Sequence, residues 1–108
     1  HLLPLLDWEL IRSNPKIFLG FSDVTVLNNA IYQETGLVTF NGPTLMTDWA
    51  EFPGMPDYAR RSALGVLSST EAYGRVLPST TWTEEFLDWE SGEDELRPRS
   101  QTVNDGWA

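Results

Sequence analysis

Between Pro15 and Pro43 the chain carries a short apolar run, an amphipathic stretch closed by a glycine, and a second apolar run. Few folds can use that order. Ile17-Phe18-Leu19 is wholly apolar and is bounded by Pro15 and Gly20, the pattern of a strand buried on both faces. From Ser22 or Asp23 to Thr35, Val24, Leu27 and Ile31 recur at helical spacing, Val26 and Ala30 widen the stripe, and Gly36 supplies the stop. Leu37-Val38-Thr39-Phe40 then brings strong strand formers before Asn41-Gly42-Pro43 breaks the run. Strand, helix and strand within about 25 residues make one parallel crossover unit. The fold class expected is therefore α/β with a parallel sheet.

The flanking segments are less regular. Asp7 is placed to cap a short helix through about Arg12, which Asn14-Pro15 ends because a residue before proline avoids helical geometry. Pro43, Pro53 and Pro56 mark 44–56 as irregular loop. Pro56-Asp57 opens a helix to about Ser69 with Tyr58, Leu64 and Leu67 on its apolar side, and Tyr73 to Leu77 reads as a strand ended by Pro78. Half of the acidic residues lie between Glu84 and Asp105 with few apolar neighbours. That composition predicts a connecting segment with little order of its own. The domain expectation is thus an α/β body over 1–80 and an acidic connection over 81–108.

Charge and composition exclude several functions. Seven basic against sixteen acidic residues leave a net charge of -9, which repels nucleic acid and anionic membranes. No cysteine is present, so disulfides and thiolate metal sites are out. The opening His1-Leu2-Leu3-Pro4-Leu5-Leu6-Asp7 lacks the basic lead and cleavage site of a signal peptide, and charged residues interrupt it well short of a membrane span. The chain starts without methionine, and the expectation is a piece of a longer protein.

The chemistry concentrates at Gly20-Phe21-Ser22-Asp23-Val24-Thr25, where a serine stands at the junction of strand and helix. Such a turn lifts the hydroxyl clear of the sheet and aims the next backbone N–H groups at a developing oxyanion. The G-x-S-x-G pattern itself is not met, because Val24 stands where its second glycine belongs. Read from pattern alone, Ser22 and Asp23 are ordinary helix caps. A nucleophilic serine also needs a base, and the chain has a single histidine, His1.

The run from Leu3 to Pro43 resembles the S66 serine peptidases, the family of LD-carboxypeptidases and microcin immunity proteins. Its signature is a G-aromatic-S-D-aliphatic-T elbow, a helix, and a strand ending T-F/Y-x-G-P. Arg75-Val76-Leu77-Pro78-Ser79-Thr80-Thr81-Trp82 further resembles the microcin C immunity branch. The resemblance implies part of the N-terminal domain, a parallel-sheet sandwich, of a two-domain peptidase. It implies Ser22 as nucleophile and the backbone N–H of Asp23 as an oxyanion donor. The family's glutamate and histidine lie C-terminal to the elbow in the second domain, so His1 is not drafted as the base. A cytoplasmic, cofactor-free hydrolase is implied, cleaving an amide near a free carboxylate through an acyl-serine. Its substrate would be a muropeptide L,D bond or a microcin-type aminoacyl nucleotide. Expected partners are that small peptide or peptidyl nucleotide and a second copy of the chain, with no nucleic acid, membrane or metal. The 108 residues alone are expected to be inactive, and a binding fragment without turnover is the alternative.

Other candidates read more plainly. Trp8, Trp49, Trp82, Trp89 and Trp107 are packing residues first, with Trp82 also a candidate substrate contact in the immunity-branch picture. Glu84-Glu85, Asp88-Trp89-Glu90 and Glu93-Asp94-Glu95 lack calcium-loop spacing and read as solvated carboxylates. Asn41-Gly42-Pro43 is a turn at the sheet edge that Ser22 shares, a pocket wall at most.

Overall fold

The computed structural model describes residues 2–106. The chain divides into two compact units, His1–Thr44 and Leu45–Ala108, each described by itself.

In the first unit a 3-10 turn, Leu3–Leu5, leads into helix α1, Trp8–Ser13. Asp7 caps α1, its Oδ1 accepting from the Leu10 N–H at 2.9 Å, as the sequence predicts. Strand β1, Leu19–Gly20, runs into a 3-10 turn at Ser22–Val24 and then helix α2, Thr25–Thr35. Gly36 closes α2 in the left-handed conformation (φ 76°), its N–H donating to the Tyr32 carbonyl at 2.9 Å. Strand β2, Phe40–Asn41, then pairs with β1 in parallel, Leu19 opposite Phe40 and Gly20 opposite Asn41. The crossover expected from the sequence is present.

Both strands are shorter than their apolar runs. Ile17 is 61% exposed and Val38 66% exposed, so neither run is buried on both faces. Each strand has only the other as a neighbour among the described residues, and pairing holds only where their ladders overlap. Ile31 and Asn28 are the buried residues of α2, and the Arg12 guanidinium of α1 donates to the Glu34 carbonyl near the end of α2.

The second unit departs further from expectation. Leu45–Trp49, predicted as loop, forms a π-helical turn closed by the Ala50 N–H donating to the Leu45 carbonyl at 2.8 Å. Helix α3 spans Asp57–Leu67, and its buried residue is Ala63 rather than Leu64, which is 42% exposed. The expected strand at 73–77 does not form. Strand β3 lies instead at Thr81–Trp82 and pairs antiparallel with β4, Thr102–Val103. The acidic segment is therefore ordered, and arginines order it. Arg97 binds Glu85 at 2.8 Å and Glu93 at 2.6 Å, while Arg99 grips both carboxylate oxygens of Glu51 at 2.8 and 2.7 Å. Leu87, 4% exposed, is the buried apolar residue of this segment.

Candidate active site

The turn after β1 is built by close approach. A Cβ on Gly20 would stand 2.2 Å from Val24 Cγ1 and 2.8 Å from Val24 Cβ, so only glycine lets the strand end lie against the first turn of the helix. Phe21 is still extended (φ -140°, ψ 159°), and the chain reverses at the next residue. Ser22 has φ 54°, the one positive φ of a non-glycine residue among the described residues. Left-handed backbone costs an L-residue about 1–2 kcal/mol and persists only where the surroundings over-determine it. It is the conformation that carries a side chain outward at a sharp strand-to-helix turn.

The cap reading of this segment does not hold. The 3-10 turn Ser22–Val24 has Phe21 at its cap and α2 has Val24, and neither cap position makes a side-chain hydrogen bond. Ser22 and Asp23 lie inside the turn, both exposed. The Val24 N–H donates to the Phe21 carbonyl at 3.1 Å, and the Thr25 N–H turns to the Ser22 and Asp23 carbonyls. N–H groups at the start of a helical segment, the Asp23 N–H among them, have no partner within it. A hollow of about 570 Å³ opens beside the turn, lined by Leu2, Leu3, Pro4, Asp23, Val24 and Leu27 among others. The leucine-rich N-terminal stretch thus reaches the elbow.

Behind the turn stands Asn28, only 4% exposed. Its Nδ2 donates to the Phe40 carbonyl at 3.0 Å, and its own backbone carbonyl accepts from the Thr39 hydroxyl at 3.0 Å. Its Oδ1 is buried with no hydrogen-bond partner. Sequence reasoning passed over Asn28, although a signal existed: with Val24, Leu27 and Ile31 it shares the apolar stripe of α2, and a lone amide there needs a reason.

Trp82 lies in the other unit, on β3 opposite Thr102, 43% exposed. It lines a cavity of about 400 Å³ with Ser79, Thr81, Glu84 and Asn104. Trp89 stacks obliquely on Phe86, centroids 5.7 Å apart, while Trp8 and Trp49 are half-buried. Trp107 and His1 lie outside the described residues. Among the described residues no group of three or more acidic or histidine side chains could hold a metal ion, and no helix is long and apolar enough to cross a membrane. Glu85 is held down to about 2 by the Arg97 guanidinium first and by the Ser100 N–H second, so this carboxylate serves structure.

The chain is similar to known proteins. Residues 1–42 match the family model of the LD-carboxypeptidase N-terminal domain, Peptidase_S66. The microcin C7 self-immunity protein MccF of Escherichia coli is 38% identical over 105 residues, covering 95% of this chain and 30% of MccF. A Bacillus subtilis protein named "Probable murein peptide carboxypeptidase" is 63% identical over 43 residues, 40% of this chain and 14% of that protein. The solved structure of MccF with aspartyl sulfamoyl adenosine superposes with a TM-score of 0.76 at 38% identity, covering 96% of this chain and 31% of that one. The chain spans between 27% and 31% of the length of the curated relatives that match most of it. Matched to the family model at its N-terminus and to MccF along nearly its whole length, the chain belongs to peptidase family S66, of whose N-terminal domain it carries a part.

Proposed function

We propose that this chain supplies the nucleophile half of a serine carboxypeptidase. The observation that carries the reading is the left-handed Ser22 at the junction of a parallel strand and a helix, in a residue that caps neither. Nothing structural asks a serine to bear that strain, whereas an exposed nucleophile does. The Ser22 Oγ attacks the carbonyl carbon of an amide near a free carboxylate, passing its proton to a base. The oxyanion is held by the Asp23 N–H at the positive end of the helix dipole. The C–N bond then breaks as the proton reaches the leaving amine, and water cleaves the acyl-serine and restores the hydroxyl. In the family picture the base is a histidine oriented by a glutamate, both in the second domain. The enclosing domain is a parallel-sheet sandwich, the complete enzyme works in the cytoplasm without a cofactor, and it associates as a homodimer.

Between the two substrate classes, the aminoacyl nucleotide is the one we assign. Support comes from MccF, which aligns with this chain through Trp82 and beyond, and which has been solved with an aspartyl sulfamoyl adenosine. The murein-named relative matches only 40% of the chain. To Trp82 we assign the role of the aromatic surface on which the substrate stacks. The test uses the full-length protein containing this sequence, offered an aminoacyl sulfamoyl adenosine and an L,D-linked muropeptide. Hydrolysis of the first that vanishes in Ser22→Ala is expected, with Trp82→Ala raising KM about ten-fold at nearly constant kcat. Muropeptide cleavage alone would transfer the assignment to the other substrate. Tight binding without turnover in the wild-type protein would make it a binding module.

A further inference from the structure

The nucleophile reading leaves Asn28 unexplained. A buried amide on an apolar helix face costs free energy unless both its polar ends are satisfied, and here one is not. A leucine, similarly branched, would place apolar groups there without an orphan acceptor. What a leucine could not do is tie α2 to β2. Asn28 makes that tie through its side chain, Nδ2 donating to the Phe40 carbonyl at 3.0 Å, beside a second link that any residue at 28 would keep, the Thr39 hydroxyl donating to the main-chain carbonyl of residue 28 at 3.0 Å. Phe40 is the residue opposite Leu19 in the ladder, so the tie passes straight to β1, the strand that ends at the elbow. With Nδ2 turned to Phe40, Oδ1 has to face Gly20: it lies 3.3 Å from where a Cβ on that residue would stand, two residues before Ser22. The orphan acceptor is the consequence of the orientation that the tie requires.

We infer that Asn28 is a positioning residue, whose amide locks α2 against the β1–β2 pair and so keeps Ser22 in its left-handed, outward conformation. The inference rests on the nucleophile reading and adds the residue that maintains the strain. Val24 against Gly20 braces the turn from the front, and Asn28 on Phe40 braces it from behind. If the rear brace is removed, the serine can relax to ordinary backbone while the apolar packing survives.

The experiment uses the full-length protein with Asn28→Leu, Thr39→Val and Ser22→Ala, and follows three quantities: labelling of Ser22 by a fluorophosphonate, kcat and KM separately, and thermal unfolding. Asn28→Leu is expected to slow labelling and kcat by about ten-fold or more, with KM within about two-fold. Thr39→Val, which removes only the hydroxyl of the second tie, is expected to slow both by about three-fold. Wild-type labelling in both folded variants, with only the melting temperature lowered, would reduce Asn28 to a structural residue and overturn the inference. If Asn28→Leu does not fold, Asn28→Ala, which removes the same amide without adding bulk, decides by the same criterion. Hydrolysis surviving in Ser22→Ala overturns the nucleophile reading and this inference with it. Loss there beside full activity in Asn28→Leu overturns the inference alone.

Discussion

Gly20→Ala tests the geometry of the elbow with a single methyl group. The added carbon would meet Val24 Cγ1 at 2.2 Å and Val24 Cβ at 2.8 Å, with Asn28 Oδ1 at 3.3 Å. Carbon atoms rest about 3.5–4.0 Å apart, so the strand end and the helix start must separate by on the order of 1 Å. Val24 cannot simply turn aside. Its β-branched side chain is stiff at χ1, and the Cβ contact is fixed by the helix backbone itself. Overpacking of this kind costs about 1–3 kcal/mol, which the stiffening of the unfolded chain by alanine offsets by about 0.4–1 kcal/mol. The net expectation is a loss of about 1–2 kcal/mol in urea unfolding of the full-length protein. Activity suffers more, because a displacement of about 1 Å at the reacting group costs on the order of 100-fold in rate. Val24→Ala added to Gly20→Ala removes the contact at Cγ1 and leaves the one at Cβ. The pair is therefore expected to recover part of the loss, a coupling of about 1 kcal/mol. Unchanged unfolding and turnover in Gly20→Ala, or strictly additive effects in the pair, would refute the close approach of β1 and α2.

Three further outcomes follow from other residues. Ser22→Gly and Ser22→Ala both abolish hydrolysis, yet the glycine variant is expected to be about 1 kcal/mol more stable because it accepts φ 54° freely; equal stabilities in a thermal melt would contradict the strain. Arg99→Ala removes the bidentate partner of Glu51, whose side chain is 16% exposed, and is expected to cost about 2 kcal/mol of unfolding free energy. Glu85 has its pKa depressed to about 2 by Arg97 and the Ser100 N–H. Its stabilising effect is thus complete above the ordinary carboxylate range and fades as pH falls from about 5 toward 2. Urea midpoints measured across that window should slope less in Glu85→Gln than in wild type, and parallel curves would show that the ion pair does not form.

The site was more legible in the sequence than the unit that follows it, for a physical reason. The elbow announces itself by local chemistry: an apolar run, a glycine, a serine and a helical stripe occupy adjacent positions, and each constrains its neighbours directly. Asp7 at the start of α1 and Gly36 at the end of α2 were readable on the same grounds. The lengths of β1 and β2 were not, since Ile17 and Val38 are apolar whether or not a further strand covers them. In the second unit the deciding contacts are remote in sequence. Arg99 reaches Glu51 and Arg97 reaches Glu85, pairings that no composition count can anticipate in a segment dominated by acids. The strand forms at Thr81–Trp82 against Thr102–Val103, where Asn104 also donates to the Ser79 and Thr80 carbonyls, and not at Tyr73–Leu77.

Ser22 and Asn28 show why strain and an unsatisfied buried group occur a few residues apart. Either feature alone works against stability, by about 1–2 kcal/mol for left-handed backbone and about 1–3 kcal/mol for an orphaned acceptor. Selection for folding alone would have replaced the serine with glycine and the asparagine with leucine. The two deviations are connected through short links: Asn28 to Phe40, Phe40 opposite Leu19, Leu19 next to Gly20, and Gly20 two residues from Ser22. A strained residue held by a costly brace keeps one conformation, whereas a relaxed serine on a glycine-rich loop would sample several. If Ser22 is the nucleophile proposed here, it has to be held to within about 0.5 Å of its productive position, and the single conformation is the property that matters.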